Sequence, residues 1–287
     1  MKCRGFTLIE IVVGAAISSV LAVAIFALMN AGMILSAKNL SLNLTSNSLR
    51  TALDRVEQVV QMGDTMPELI DATGTVLATG PAAGIKFDRA VGSPYIVTVS
   101  GANIPAATTS MTLTRSTHAV ASPPVPRAGD IVRIATTATT LRPRIQSVVS
   151  GSVDGQARQP FTVTFEGALG TTVTPVAATV VSARLVRNAA FIVMPANGKP
   201  ELRYYDSFDT TTNLNDPTKY AVITDQIGTA PSDATPFSLV PNSGQTFVGF
   251  SLRVRASNND RGIRGQQRDQ YSTYSRTETL IRPKITP

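Results

Sequence analysis

The chain has 287 residues, with 26 Lys and Arg against 19 Asp and Glu, one Cys, one His and no Trp. At 43% hydrophobic it can bury a sizeable core, yet only 16% of its residues are charged, well below the usual quarter. One Cys can form neither an internal disulfide nor a thiolate zinc site, and the lone His118 excludes paired-histidine chemistry.

Met1-Lys2-Cys3-Arg4-Gly5 is short and basic, and Phe6-Thr7-Leu8-Ile9-Glu10 follows it. From Ile11 to Ala37 the next 27 residues carry no charge, more than the roughly 20 that cross a hydrocarbon core as a helix. Lys2 and Arg4 ahead of this run place the N-terminus in the cytoplasm and the remainder outside. A secretory signal cut after Ala22-Val23-Ala24 and a plain anchor both fit the apolar length. Neither explains Glu10, because an ionised carboxylate at the edge of a spanning segment costs about 2–3 kcal/mol or more.

The string Gly5-Phe6-Thr7-Leu8-Ile9-Glu10 resembles the prepilin-type cleavage and methylation motif of the type IV pilin superfamily. The resemblance covers roughly residues 1–35. It implies that prepilin peptidase cuts between Gly5 and Phe6 and methylates the new Phe6 amine. It also implies that Glu10, fifth in the mature chain, neutralises the N-terminal amine of an adjacent subunit. That role is physically sound, since charges in low dielectric are tolerable only in pairs. Cys3 would leave with the leader, so the mature chain would contain no thiol. Many pilins carry a proline near the middle of this helix, where Ala24-Ile25-Phe26-Ala27-Leu28 stands here. The implied partners are prepilin peptidase, other pilin or pseudopilin subunits and inner-membrane lipid. The implied product is a single-pass bacterial inner-membrane protein with a periplasmic head, a subunit of a type IV pilus or type II secretion filament. Its length suits a minor component, of the large β-headed or J-type pseudopilin kind, without enzymatic activity, cofactor or small-molecule substrate.

No proline interrupts the chain until Pro67. Leu49, Leu53, Val56 and Val60 recur at helical spacing with charged residues between them, an apolar stripe suited to packing on a sheet. The expected organisation is a leader (1–5), a spanning helix (6–37), its amphipathic continuation (38–62) and a head (63–287). From Thr73 the texture becomes short β-branched runs among Gly, Pro, Asn and Asp. Expected strands are Gly84–Arg89, Tyr95–Ser100, Met111–Ser116, Asp130–Thr136, Phe161–Glu166 and Thr179–Val186. Ala190–Met194, Glu201–Tyr205, Tyr220–Thr224, Thr246–Arg255 and Tyr271–Ile281 complete the set. Phe250 to Arg255 alternates cleanly, the mark of a half-buried antiparallel strand. The fold class is α+β: a long helix on a mainly antiparallel, β-rich head.

Three constellations need weighing. Asp206, Asp209, Asn213, Asn215 and Asp216 crowd one loop and could offer oxygens to Ca²⁺, but their spacing fits no EF-hand and such residues ordinarily form turns. His118 has no nucleophile-elbow motif to serve, and neither Thr73-Gly74-Thr75 nor Gly262-Ile263-Arg264-Gly265 is a phosphate loop. The positive charge is uneven. Residues 6–249 balance at zero, while 250–287 hold eight basic against three acidic side chains. Arg264, Arg268 and Arg276 there are candidates for a subunit contact, or alternatively for DNA in a tip adhesin or uptake receptor.

Overall fold

The computed structural model describes residues 7–98, 103–116, 124–135, 140–174, 180–196, 199–209, 211–225, 227–228, 231–242, 245–255 and 274–281. Helix α1 (Leu8–Gln61) runs for 54 residues, about 81 Å at 1.5 Å per residue. Thr7 caps its start, and Met62 ends it, its N–H donating to the Val59 carbonyl while the Gly63 N–H donates to that of Val60. Leu8–Ser36 is long and apolar enough to cross a membrane, with mean hydropathy 2.7 and none of that apolar window buried in the chain. The second half behaves differently. Leu49, Val56 and Val60 are buried as their spacing predicts, Ala52 and Val59 join them, and Leu53 is partly covered. Each fully buried Val or Leu contributes about 1.5–3 kcal/mol, so packing holds this half to the head.

The described strands, all paired antiparallel, are β1 (Glu68–Ile70), β2 (Val76–Leu77), β3 (Gly84–Thr98), β4 (Ser110–Ser116), β5 (Ile131–Ala135), β6 (Thr140–Leu141) and β7 (Ile145–Ser150). They continue with β8 (Arg158–Phe165), β9 (Val180–Ala196), β10 (Lys199–Tyr205), β11 (Tyr220–Thr224), β12 (Phe237–Asn242), β13 (Gln245–Arg255) and β14 (Tyr274–Ile281). The α+β expectation holds. Two pairs of expected strands are corrected, however. Gly84–Arg89 and the described part of Tyr95–Ser100, up to Thr98, belong to the single strand β3, whose register slips between Val91 and Tyr95 around Gly92, at φ 67°. Ala190–Met194 and the described part of Thr179–Val186, from Val180, likewise lie on the continuous strand β9. Strands β1, β2, β6, β7 and β12 carry too little alternation to be read in advance. Pro241 sits within β12, which tolerates it because β13 is its one partner along the strand among the described residues.

β3 and β9 pair along most of their length, with a helix-facing core at one end, a barrel core at the other and a smaller third cluster behind the first. At the outer end of β9, Ala189, Phe191 and Val193 turn one face to helix α1 and to the three-stranded sheet β12-β13-β14, which supplies Phe237, Phe250, Leu252 and Val254. Phe250, Leu252 and Val254 are the inward members of the alternation expected over 250–255. The opposite face, with Ala190, Ile192 and Met194, is covered by Tyr205 and Phe208. Gly84 allows the tight approach at this end, since a Cβ there would fall 2.4 Å from the Phe191 carbonyl.

The other halves of β3 and β9 enter a closed ring. β3 pairs with β4, β4 with β8, and β8 with β7. Arg144, just before β7, bridges Ile131 at the start of β5, and β5 pairs back onto β9. The six strands therefore form a barrel, filled by Tyr95, Leu113, Ile134, Phe161, Val163 and Leu185 among others. Closure leaves fewer exposed strand edges than an open sheet of this size.

Candidate functional site

Gly5 and Phe6 lie outside the described residues, so the described part of the site begins at Thr7. Thr7 and Glu10 form a capping box. Glu10 Oε2 accepts from the Thr7 N–H and from its hydroxyl, both at 2.9 Å, while the Glu10 N–H donates to Thr7 Oγ1 at 3.4 Å. A carboxylate here also faces the positive end of the helix dipole. Beyond it, Leu8, Val20, Phe26 and Leu28 all stand more than two-thirds exposed, at 83%, 72%, 72% and 73%. A helix apolar on every side needs lipid or other helices around it. Ser19 satisfies its own hydroxyl within the helix, donating it to the Ala16 carbonyl at 2.8 Å. The role of Thr7 escaped the sequence reading, although a Thr-x-x-Glu string ahead of an apolar run signals such a cap.

Of the basic candidates, Arg264 and Arg268 lie outside the described residues, while Arg276 sits on β14 directly across from Arg253 on β13. Arg253 is already engaged, donating from Nε and Nη2 to the buried Asp233 carboxylate at 3.0 and 2.7 Å.

The acidic loop is not gathered around one point. Asp206, half-exposed, is engaged by Arg89, Arg187 and the Tyr204 hydroxyl. Asp209, Asn213 and Asp216 close their own turns, accepting from Thr211 and Thr212, from the Asn215 N–H, and from Thr218 respectively. Asn215 Oδ1 faces Arg203 at 3.5 Å. Among the described residues, no three His, Cys, Asp or Glu side chains converge as metal ligands would. Burial works to raise the Asp209 carboxyl, but the Thr211 and Thr212 hydroxyls, the Thr211 amide and Arg144 outweigh it and hold it below the ordinary 3.8. A depressed carboxyl contributes stability above the unfolded value and loses it as pH falls through the folded one. Asp209→Asn, which keeps an acceptor but no charge, is therefore expected to cost about 0.5–1 kcal/mol at neutral pH. In urea titrations followed by circular dichroism that deficit should vanish once the pH is well below the aspartate range.

Between the two cores lies a charged joint that sequence spacing does not reveal. Arg187 grips Asp130 with two bonds, Nε to Oδ1 at 2.7 Å and Nη2 to Oδ2 at 3.1 Å. Burial opposes the Arg187 charge, yet its bonds and attraction to Asp130 and Asp206 prevail and raise its pKa. Arg133 Nη1 donates to Asp64 Oδ1 at 2.6 Å, and Arg142 pairs with Asp88. Burial pushes the Asp88 carboxyl up, against the pull of Arg142. Asp64 follows α1 by three residues, so these pairs tie the end of the helix to the barrel.

A cavity of about 500 Å³ opens near β2, lined by Leu77, Pro81, Ala83, Val193, Pro195 and others. Its carboxylate, Asp71, is taken up by its own turn, accepting from the Thr73 hydroxyl at 2.6 Å and from the Thr75 amide at 2.9 Å.

Residues 1–26 match the family model for the prokaryotic N-terminal methylation motif. No curated protein and no solved structure matches the chain. The matched motif is that of a structural family, processed by prepilin peptidase and assembled with other pilin subunits. The N-terminal segment is thus type IV pilin-like: a prepilin-type methylation motif running into a membrane-length helix.

Proposed function

We propose that this chain is a minor pilin or pseudopilin, a subunit of a type IV pilus or type II secretion filament. The observation that carries the reading is the methylation motif at residues 1–26 merging into an apolar helix that the head leaves uncovered. Residues 1–5 act as the leader, removed by cleavage between Gly5 and Phe6, after which the Phe6 amine is methylated. Residues 6–37 cross the inner membrane with the N-terminus in the cytoplasm and later line the filament core. Residues 38–62 carry the helix into the periplasmic head of residues 63–287. A head that holds a second, barrel core suits a minor, large-headed subunit of the J type better than a repeating shaft subunit. Glu10 pairs with the amine of a neighbour, while nonpolar helix packing supplies cohesion.

Intact-mass and N-terminal peptide spectrometry of the membrane-extracted chain checks this reading. The expected product begins at Phe6 and carries one added methyl group. A chain that begins at Ile25, as signal peptidase would leave it, overturns the proposal.

A further inference from the structure

Strands β6, β5 and β9 lie side by side, and their register sets three arginines in one row. Arg133 on β5 stands across from Arg184 on β9. On the other side Ile134 pairs with Leu141, and the Val132 N–H donates to the Pro143 carbonyl at 2.9 Å, which brings Arg142 opposite Arg133. Val132, Ile134, Ala183 and Leu185 are buried inside the barrel, so by strand alternation the row lies on its outer face. Like charges directly opposite one another repel. The chain relieves this at one end of the row. The Asp64 carboxylate bridges two members, 2.6 Å from Arg133 and 3.4 Å from Arg142, and Arg142 also holds Asp88. Arg184 is partly exposed and, among the described residues, has neither an ion pair nor a hydrogen bond on its side chain. The stretches of sequence between the described barrel strands, 99–102, 117–123, 136–139 and 175–179, contain no Asp or Glu.

The charge of the whole lobe points the same way. From Tyr95 to Val186 the chain has seven arginines, no lysine and three carboxylates (Asp130, Asp154 and Glu166), a net charge of +4. Arginine is the side chain suited to bidentate, partly desolvated recognition of an oxyanion. We infer that the outer face of the barrel docks an acidic segment of a partner subunit, with Arg184 receiving a carboxylate alongside Arg133. Asp64 supplies the template: one aspartate already fits between two arginines of this row, and Arg133 and Arg184 stand at the same cross-strand spacing. Asp64 and Asp88 within the row also disfavour a continuous run of phosphates, which would meet two carboxylates along the way. Only the identity of the partner as a filament subunit rests on the proposed function; the acid-binding face does not.

The test uses the full chain in nanodiscs of uncharged phosphatidylcholine, with a fluorescent octaglutamate peptide read by polarisation at low salt. The wild type is expected to bind, Arg184→Ala to bind about tenfold more weakly, and Arg184→Lys to recover only part of the loss. The melting temperature of Arg184→Ala should stay level or rise, because a like-charge contact is removed. Absent binding, binding unchanged by Arg184→Ala, or stronger displacement by short duplex DNA than by unlabelled peptide of equal charge each overturns the inference. A chain found uncut at Gly5 would sink the filament reading yet leave this binding result as it stands.

Discussion

Replacing Asp130 with alanine is expected to destabilise the head by about 3–5 kcal/mol, the range for stripping one partner from a buried ion pair. Asp130 is 3% exposed and Arg187 5%, and the pair is bidentate. Truncation leaves a guanidinium in the joint that still cannot reach bulk water, with Asp206 at 3.5 Å as its remaining carboxylate among the described residues. The intact pair is not thereby worth that amount, because its attraction is largely offset by the desolvation of both ions. The double variant Asp130→Leu with Arg187→Met should therefore recover most of the loss. Urea unfolding of the detergent-solubilised chain measures both, followed by circular dichroism because the chain has no Trp. The joint also lies between the helix-facing core and the barrel core, so Asp130→Ala should broaden the transition or split it in two. A loss below about 1 kcal/mol would show that water reaches the Arg187 charge, contrary to its burial.

How much of this was visible beforehand varies with the range of the interaction. The stripe of Leu49, Val56 and Val60 is a local pattern of one helix and could be read directly, as could the alternation over Phe250–Val254. β3 reads as two strands because Gly92-Ser93-Pro94 breaks it at its register slip, and β9 because the polar pair Arg187-Asn188 interrupts it where the cores meet. Asp88 and Arg89 on β3 pair in register with Asn188 and Arg187 on β9. That charged stretch belongs to the joint, and only its partners reveal it: Asp130, Asp206 and Asp64 come from three other parts of the chain. Barrel closure rests on the bridge between Ile131 and Arg144, a contact that no residue period encodes. Charge suffered in the same way. The zero balance over 6–249 conceals the +4 of residues 95–186, because topology, not composition, draws the boundary of the barrel. At the N-terminus the string Thr7-Leu8-Ile9-Glu10 was legible twice over, as part of a processing motif and as a helix cap, and the first meaning masked the second.

Those two meanings make Glu10 the most informative position for assembly. Its carboxylate caps α1 through the Thr7 N–H and hydroxyl at 2.9 Å, and in the proposed filament it also neutralises the amine of a neighbouring Phe6. Glutamine serves a capping box as glutamate does but carries no charge. Glu10→Gln should accordingly leave the helix start intact and cleavage at Gly5 normal, while a neighbour's ammonium in the apolar filament core loses its counter-charge. Losing one partner of a buried pair costs about 3–5 kcal/mol, a fall of a hundredfold or more in the equilibrium for adding a subunit. Glu10→Ala removes both functions, so its helix start should fray by a further 0.5–2 kcal/mol or so. Quantitative immunoblotting of sheared filaments against the membrane pool separates the cases. Both variants should accumulate as processed, membrane-held subunits that are nearly absent from filaments. Should Glu10→Gln enter filaments as the wild type does while Glu10→Ala does not, the carboxylate acts as a cap and the charge-pairing role is wrong. The charge assignment stands only if removing the charge alone, with the cap kept, is enough to stop incorporation.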